Sequence, residues 1–202
     1  MNTGTADWER RLDPVPASAV VLCSGGVAST VLAHWVTHAD TRIVMLSCDL
    51  GGQVRGIEAA ATTAARLRVD HQIVNLAGFA RAVTSGSAAR PMSNGLAIMI
   101  ELAVALATPR QAEVLLGLHA DDLLDDPLRD RPSVRAPFVG LAIAEVIQLG
   151  VALQVPLART HSCHYNHDVH CGHCTGCRHR RGAFTAAGVP DPTRYLSPGT
   201  GR

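Results

Sequence analysis

The sequence contains no lysine, and all 18 of its basic residues are arginine. No lysine ammonium is therefore available for phosphate binding or catalysis, and any such role falls to arginine. Charged residues make up only 17% of the 202 residues, and the net charge is +1. Because this composition provides no basic field, it argues against a direct nucleic-acid partner.

Long apolar runs are also missing. No stretch approaches the roughly 18 apolar residues that a membrane helix needs, and residues 1–16 are polar, without the apolar core of a signal peptide. The length suits one domain with at most a small appendage. We therefore expect a cytoplasmic protein with reduced thiols and no membrane partner.

Four of the six cysteines fall in one short segment with the pattern C-x7-C-x2-C-x2-C, namely Cys163, Cys171, Cys174 and Cys177. Four thiolates at about 2.3 Å satisfy a tetrahedral Zn²⁺ and leave no position open for substrate, which predicts structural zinc. An iron–sulfur cluster is one alternative, because C-x2-C-x2-C also occurs in ferredoxin-like runs. Disulfides are another, although cysteines two residues apart pair with difficulty. His170 or His173 could replace a thiol, but four cysteines make this unnecessary.

Short apolar runs alternate with segments of helical periodicity, which predicts a doubly wound parallel α/β sheet. The predicted strands are 19–23, 43–48, 71–76 and 113–118, with 155–160 as a candidate last strand; the predicted helices include about 54–68, 96–107 and 138–149. Cys23 and Cys48 are expected to be buried strand residues. The change in composition at residue 161 predicts two units, an α/β nucleotide-binding domain over 1–160 and a zinc-binding module over 161–202.

A glycine loop, S-G-G-V-A-S-T at residues 24–30, follows the first predicted strand and opens a helix. Two glycines let the backbone approach an anion, and a helix N-terminus offers free N–H groups. Ser24, Ser29 and Thr30 add hydroxyl groups. The pattern predicts a phosphate or pyrophosphate site, with a plain strand–helix turn as the alternative. It matches neither the P-loop nor the dinucleotide fingerprint.

Several motifs together resemble one known family. The S-G-G-x-x-S loop resembles the pyrophosphate loop of the N-type ATP pyrophosphatases. The C-terminal motifs are similar to those of the 7-cyano-7-deazaguanine synthase family: S-C-H-Y at 162–165, C-G-H-C-T-G-C-R at 171–178, R-G-A-F at 181–184 and D-P-T-x-Y at 191–195. The order of motifs matches from residue 19 to residue 195.

This resemblance implies an adenine-nucleotide alpha-hydrolase-like fold and a ligase that uses ATP and Mg²⁺ beside a structural Zn²⁺. Such an enzyme converts a 7-deazapurine carboxylate, 7-carboxy-7-deazaguanine, and ammonia into the nitrile precursor of queuosine. It also implies an ATP site at Ser24, Gly25, Gly26, Ser29 and Thr30. Catalytic roles are implied for Ser24, Ser29, Asn94 and Asp122. A homodimer or a heteromeric partner is compatible with this reading.

The sequence departs from the family pattern at three charged positions. Ala28 stands where an aspartate would help to hold Mg²⁺, Ser93 stands where arginine is expected, and Ile143 stands where lysine is expected; Arg90 is a candidate replacement cation. The acidic cluster at 121–130 is either a solvated loop or a Mg²⁺ or base-recognition site. Two hypotheses follow: a divergent ATP-dependent enzyme, or a synthase-like pseudoenzyme that acts as a zinc-stabilised binding or partner subunit.

Overall fold

The computed structural model describes residues 11–52, 54–84, 91–122 and 131–196, and for 82–84 and 91–94 it describes the backbone alone. Five strands are present in these ranges: β1 Ser18–Leu22, β2 Arg42–Asp49, β3 Asp70–Asn75, β4 Glu113–Leu116 and β5 Val134–Arg135. The α-helices are α1 Val27–His38, α2 Val54–Leu67, α3 Ala77–Thr84, α4 Pro91–Ala107, α5 Ile143–Ala152 and α6 Thr175–Ala187. Two 3₁₀ turns, Thr108–Arg110 and Leu157–Arg159, complete the regular elements.

The strands form one parallel sheet in the order β3-β2-β1-β4-β5. Val20 at the centre of β1 pairs with Val44 on one side and Val114 on the other. The chain therefore turns from one side of β1 to the other between β3 and β4. In open α/β sheets this switch point, at the carboxyl ends of the strands, is where ligands bind.

Both faces of the sheet are covered because the strand residues alternate between them. Val21 and Cys23 pack with helices α1, α2, α5 and α6 on one face. Val20 and Val114 pack with α4 on the other. This arrangement confirms the predicted doubly wound parallel α/β class. Cys23 is buried as expected, whereas Cys48 is only half-buried.

Three predicted elements differ from the structure. Residues 155–160 do not form a strand; Pro156, which has no N–H to donate to a ladder, precedes the 3₁₀ turn Leu157–Arg159 instead. The helix predicted over 138–149 starts only at Ile143, where the Asp121 carboxylate accepts the Ile143 N–H at 2.7 Å. Helix α4 begins earlier than predicted, at Pro91, a residue that suits the first helical position.

Helix α6 connects the cysteine segment, residues 161–177, to the main sheet. Its buried residues Ala183, Phe184 and Ala187 belong to the same core as Val21. Because α6 packs against α5, the two predicted units, 1–160 and 161–202, are in contact. Their division stays a prediction.

Candidate functional site

The glycine loop lies at the carboxyl end of β1, next to the switch point. Gly25 adopts a left-handed backbone with φ of +76°, and a Cβ there would lie 2.0 Å from the Gly56 carbonyl oxygen. Gly25 is therefore required by the close packing of helix α2. Gly26 has φ of −74°, and the nearest atom to an added Cβ is Ser24 Oγ at 3.3 Å. The Gly26 backbone is one that any residue adopts, but a Cβ there would be in tight contact with the Ser24 hydroxyl.

Helix α1 presents an uncompensated N-terminus at this loop. Gly26 is its N-cap residue, no side chain caps it, and its first turn contains no acidic residue. The first N–H groups of a helix have no acceptor within the helix, and the helix dipole places partial positive charge there. This end of the helix is therefore suited to an anion.

The hydroxyl group of Ser29 braces the loop from within. Ser29 is buried, and its Oγ accepts the Ser24 N–H at 3.3 Å and donates to the Gly26 carbonyl at 3.3 Å. Ser24 Oγ lies 3.3 Å from Ser29 Oγ, and Ser24 itself is exposed. Of the two serines, Ser24 is thus the one that is open to a ligand, while Ser29 holds the loop in shape.

Thr30 lies in the first turn of α1 but is only 1% exposed, and its Oγ1 has no hydrogen-bond partner among the described residues. Its hydroxyl is thus not on the open side of the loop. Gly117, just beyond β4, closes the opposite side, because a Cβ there would lie 2.7 Å from the Ser29 nitrogen. The role of Thr30 as an ATP ligand stays a prediction.

A small cavity joins the glycine loop to the cysteine segment. It has a volume of about 190 Å³ and is lined by Ser24, Gly56, His161, Ser162, Cys163, His164 and Asn166. The His161 N–H donates to the Gly25 carbonyl at 2.8 Å, which ties the two segments together. The cysteine segment therefore forms one wall of the space in front of the loop.

The four predicted metal ligands come together. Their sulfur atoms all lie within 4.8 Å of one another, with Cys171 and Cys177 3.8 Å apart and Cys163 and Cys174 4.0 Å apart. Zn–S bonds of about 2.3 Å in a tetrahedron place sulfur atoms at about these separations. The donor set of four thiols fits a closed, structural metal site.

Backbone N–H groups surround these sulfur atoms. Cys163 Sγ accepts N–H groups from Tyr165 and Cys171, each at 3.4 Å, and Cys174 Sγ accepts those of His164 at 3.5 Å and Cys177 at 3.4 Å. Burial opposes ionisation of Cys174, but the N–H groups of His164 and Cys177 outweigh it and lower the pKa of this thiol to about 6. Burial raises the pKa values of the Cys163 and Cys177 thiols, so the thiolate, the form that binds metal, is favoured at Cys174 but not at these two cysteines.

A buried arginine, Arg180, joins the cysteine segment, the main domain and the C-terminal tail. It is 4% exposed and donates to Leu157 O at 2.9 Å and Thr160 Oγ1 at 2.7 Å. Its Nε lies 3.5 Å from the Asp191 carboxylate, which also accepts the Tyr195 hydroxyl at 2.6 Å. Burial opposes ionisation of Asp191, but its hydrogen bonds with Thr193 and Tyr195 and the charge of Arg180 hold its pKa below the usual value. The D-P-T-x-Y motif therefore anchors the tail.

Replacing Arg180 with methionine is expected to destabilise the protein by about 3 kcal/mol, because it leaves the largely buried Asp191 carboxylate without its cation. This corresponds to a fall of about 10 °C in Tm for a chain of this size. Calorimetric unfolding measures it, with Arg159→Met at an exposed position as the matched control. A variant as stable as the control would show that this arginine does not anchor the tail.

The other predicted site residues are placed as follows. Asp122 lies in the loop after β4, where its Oδ2 accepts the His119 N–H at 2.8 Å. Asp121 caps helix α5 through Ile143. The side chains of Asn94 and Ser93 are outside the described part of the structure, as are residues 85–90, which include Arg90, and residues 123–130 of the acidic cluster. The roles proposed for Asn94 and Asp122 stay predictions.

Comparisons with solved structures show the same fold at low sequence identity. An NMN synthetase from Francisella tularensis superposes with a TM-score of 0.60 at 14% identity, covering 92% of this chain and 90% of that one. An NH3-dependent NAD synthetase from Campylobacter jejuni gives 0.59 at 16% identity, covering 74% and 69%. The fold and the loop thus define a doubly wound parallel α/β protein with a glycine loop at the carboxyl end of its central strand.

Sequence comparisons identify the family within this class. The family model for "Queuosine biosynthesis protein QueC" matches residues 18–93 and 127–188. A 7-cyano-7-deazaguanine synthase of Rhizobium meliloti is 33% identical, covering 89% of this chain and 92% of the relative. One of Rhizobium johnstonii is also 33% identical, over 87% and 91%. The chain belongs to the QueC family.

The described helices include none with the length and apolar character needed to cross a membrane.

Proposed function

We propose that this protein is an ATP-dependent synthase that activates a carboxylate and converts it, with ammonia, into an amide and then a nitrile. By analogy with its relatives, named 7-cyano-7-deazaguanine synthases, the substrate is 7-carboxy-7-deazaguanine or a related 7-deazapurine acid. Family membership supports the type of reaction, and the glycine loop supports the use of a nucleotide.

The observation that carries the proposal is the glycine loop at the N-terminus of α1. Gly25 is held in a left-handed backbone by its packing against Gly56, whereas Gly26 has an ordinary backbone with the Ser24 hydroxyl 3.3 Å from the position of a Cβ. The loop thus brings together the exposed Ser24 and the uncompensated N-terminus of α1. A phosphate group there would receive N–H groups and the Ser24 hydroxyl.

The chemistry begins with attack by a carboxylate oxygen of the substrate on the α-phosphorus of ATP, which breaks the bond to pyrophosphate. Ammonia then attacks the acyl carbon and AMP leaves, giving the amide. A second ATP activates the amide oxygen, which departs within AMP as the nitrile forms. In each activation the developing charge on the leaving pyrophosphate is stabilised by fixed N–H groups of the loop.

The two expected metals fit the residues differently. The four cysteines suit a structural Zn²⁺, which would hold the wall of the cavity formed by residues 161–166. Mg²⁺ prefers carboxylate ligands, but the loop supplies none, because Ala28 occupies the expected position. Asp121 and Asp122 already accept backbone N–H groups. The described residues of the loop therefore do not provide a Mg²⁺ site of their own.

ATP–pyrophosphate exchange tests the proposal. Purified protein with ATP, MgCl₂ and 7-carboxy-7-deazaguanine is expected to incorporate labelled pyrophosphate into ATP, and omission of the acid is expected to abolish the signal. ATP binding without acid-dependent exchange would favour a synthase-like partner subunit. That second candidate has a specific basis, since Ala28, Ser93 and Ile143 each replace an expected charged residue.

Ala28→Asp is expected to raise the exchange rate by about tenfold, a gain equal to roughly 1.4 kcal/mol in the transition state. Ala28 is half-buried in the first turn of α1, where a carboxylate could hold Mg²⁺ beside the pyrophosphate. The same measurement on Ala28→Asn, which has the same size without the charge, is the control. Equal rates for both variants would refute a role for the missing carboxylate.

A further inference from the structure

The proposed polyphosphate site lacks a permanent positive charge in its described lining. The cavity beside the glycine loop is lined by serine, glycine, histidine, cysteine and asparagine residues, and the whole chain contains no lysine. Its volume of about 190 Å³ is below the roughly 300 Å³ of pockets for larger ligands, which suits a small group such as pyrophosphate. A tightly bound pyrophosphate would nevertheless need a cation nearby.

Arg55 is placed near this cavity by its position in helix α2 and by an ion pair with the cysteine segment. It precedes Gly56, whose backbone packs against Ser24 and Gly25. It also forms an ion pair with Asp168, which lies two residues beyond Asn166 of the cavity wall. The guanidinium group is therefore at the junction of helix α2 and the cysteine segment.

The present partners of Arg55 hold it weakly. It lies 2.8 Å from Glu58 Oε2 and pairs with Asp168, and the side chains of these two acids are 54% and 87% exposed. Exposed ion pairs contribute little to stability because water screens both charges. A polyphosphate at the end of α1 carries more negative charge than either carboxylate, and could take over the guanidinium at little cost.

We infer that Arg55 is the cation that binds the pyrophosphate portion of ATP in this protein, and that it exchanges Asp168 for phosphate when the nucleotide enters. The inference rests on the proposed function, because it needs a nucleotide at the glycine loop. An arginine of helix α2 would then supply the positive charge that is missing at Ser93 and Ile143. Asp168 is then a competitor of the ligand rather than a part of its site.

Titration calorimetry with inorganic pyrophosphate, ATP and AMP tests the inference. Arg55→Gln is expected to weaken pyrophosphate and ATP binding by about tenfold, the loss of one charge-assisted hydrogen bond, and to leave AMP binding nearly unchanged. Asp168→Asn is expected to tighten pyrophosphate binding by about two- to fivefold, because it removes a surface partner of Arg55. Arg66→Gln removes the same charge from the exposed far end of α2 and serves as the control.

The two variants are expected to change the affinity for pyrophosphate in opposite directions. This difference distinguishes an arginine that binds the ligand from one that only holds the structure together. If the Arg55–Asp168 pair only held the loop in place, both variants would weaken binding, and the inference would be wrong. It would also be wrong if Arg55→Gln matched Arg66→Gln while the unmodified protein bound pyrophosphate, a result that leaves the proposed function intact. An unmodified protein that binds neither pyrophosphate nor ATP would overturn both.

Discussion

Replacing Cys174 with serine is expected to release the bound metal and to lower Tm sharply. Cys174 lies among three other sulfur atoms, all within 4.8 Å, so its loss leaves an incomplete coordination sphere. Binding of structural zinc contributes on the order of 10 kcal/mol to the folding of small zinc peptides. Helix α6, which contains Cys177, also carries Arg180, and residues 161–166 line the cavity. The destabilisation is therefore expected to extend through the C-terminal third. Metal content by mass spectrometry and Tm by calorimetry measure the effect.

Cys48→Ser is the matched control, since Cys48 is a half-buried free cysteine of strand β2 outside the cluster. It is expected to retain the full metal content. A Cys174→Ser protein that kept both its zinc and its Tm would refute the zinc assignment. Visible absorption by the unmodified protein, with iron and sulfide present, would instead identify an iron–sulfur cluster.

Gly26→Val is expected to abolish ATP binding while the protein stays folded. The Gly26 backbone, with φ of −74° and ψ of 173°, is one that any residue adopts, but a Cβ there would lie a tight 3.3 Å from Ser24 Oγ. Because valine is also a poor N-cap residue, a stability loss of about 1–2 kcal/mol is expected. The valine side chain would occupy the space in which a phosphate approaches the N-terminus of α1. Calorimetry at millimolar ATP checks the loss.

Gly25→Ala provides the contrast at the neighbouring position. Its Cβ would lie 2.0 Å from the Gly56 carbonyl oxygen in a backbone with φ of +76°, so this smaller change should destabilise the fold itself. Unimpaired ATP binding by Gly26→Val would place the nucleotide elsewhere. Equal destabilisation by the two variants would mean that both glycines serve folding alone.

Local sequence patterns were sufficient to predict strand β1, the glycine loop and the cysteine cluster. The buried strand before Ser24 is a short apolar run that ends at paired glycines, and both signals are local. The cysteine cluster is predictable for the same reason, because metal-ligand spacing reflects the geometry of one short segment. In both cases the local conformation depends mainly on residues that are neighbours in the sequence.

Features set by distant contacts were not predictable in this way. Strand β5 has only two residues, and its pairing with β4 defines it. The sequence does not distinguish Arg180 from the other arginines of α6, because its partners come from the distant residues 157–162 and 191–193. The burial of the Ser29 hydroxyl and its hydrogen bonds within the loop are likewise set by the folded structure, and its role at a phosphate stays a prediction. Side-chain burial cannot be read from residue type alone.

Product analysis after incubation with 7-carboxy-7-deazaguanine, ATP, Mg²⁺ and isotopically labelled ammonium tests the central claim most directly. The account predicts a nitrile that carries the labelled nitrogen, with two AMP formed for each nitrile, detected by mass spectrometry. Loss of the product in Gly26→Val would assign the reaction to this loop. Protein that binds ATP but forms neither AMP nor nitrile would contradict the synthase assignment, and would instead make the chain a nucleotide-binding partner subunit.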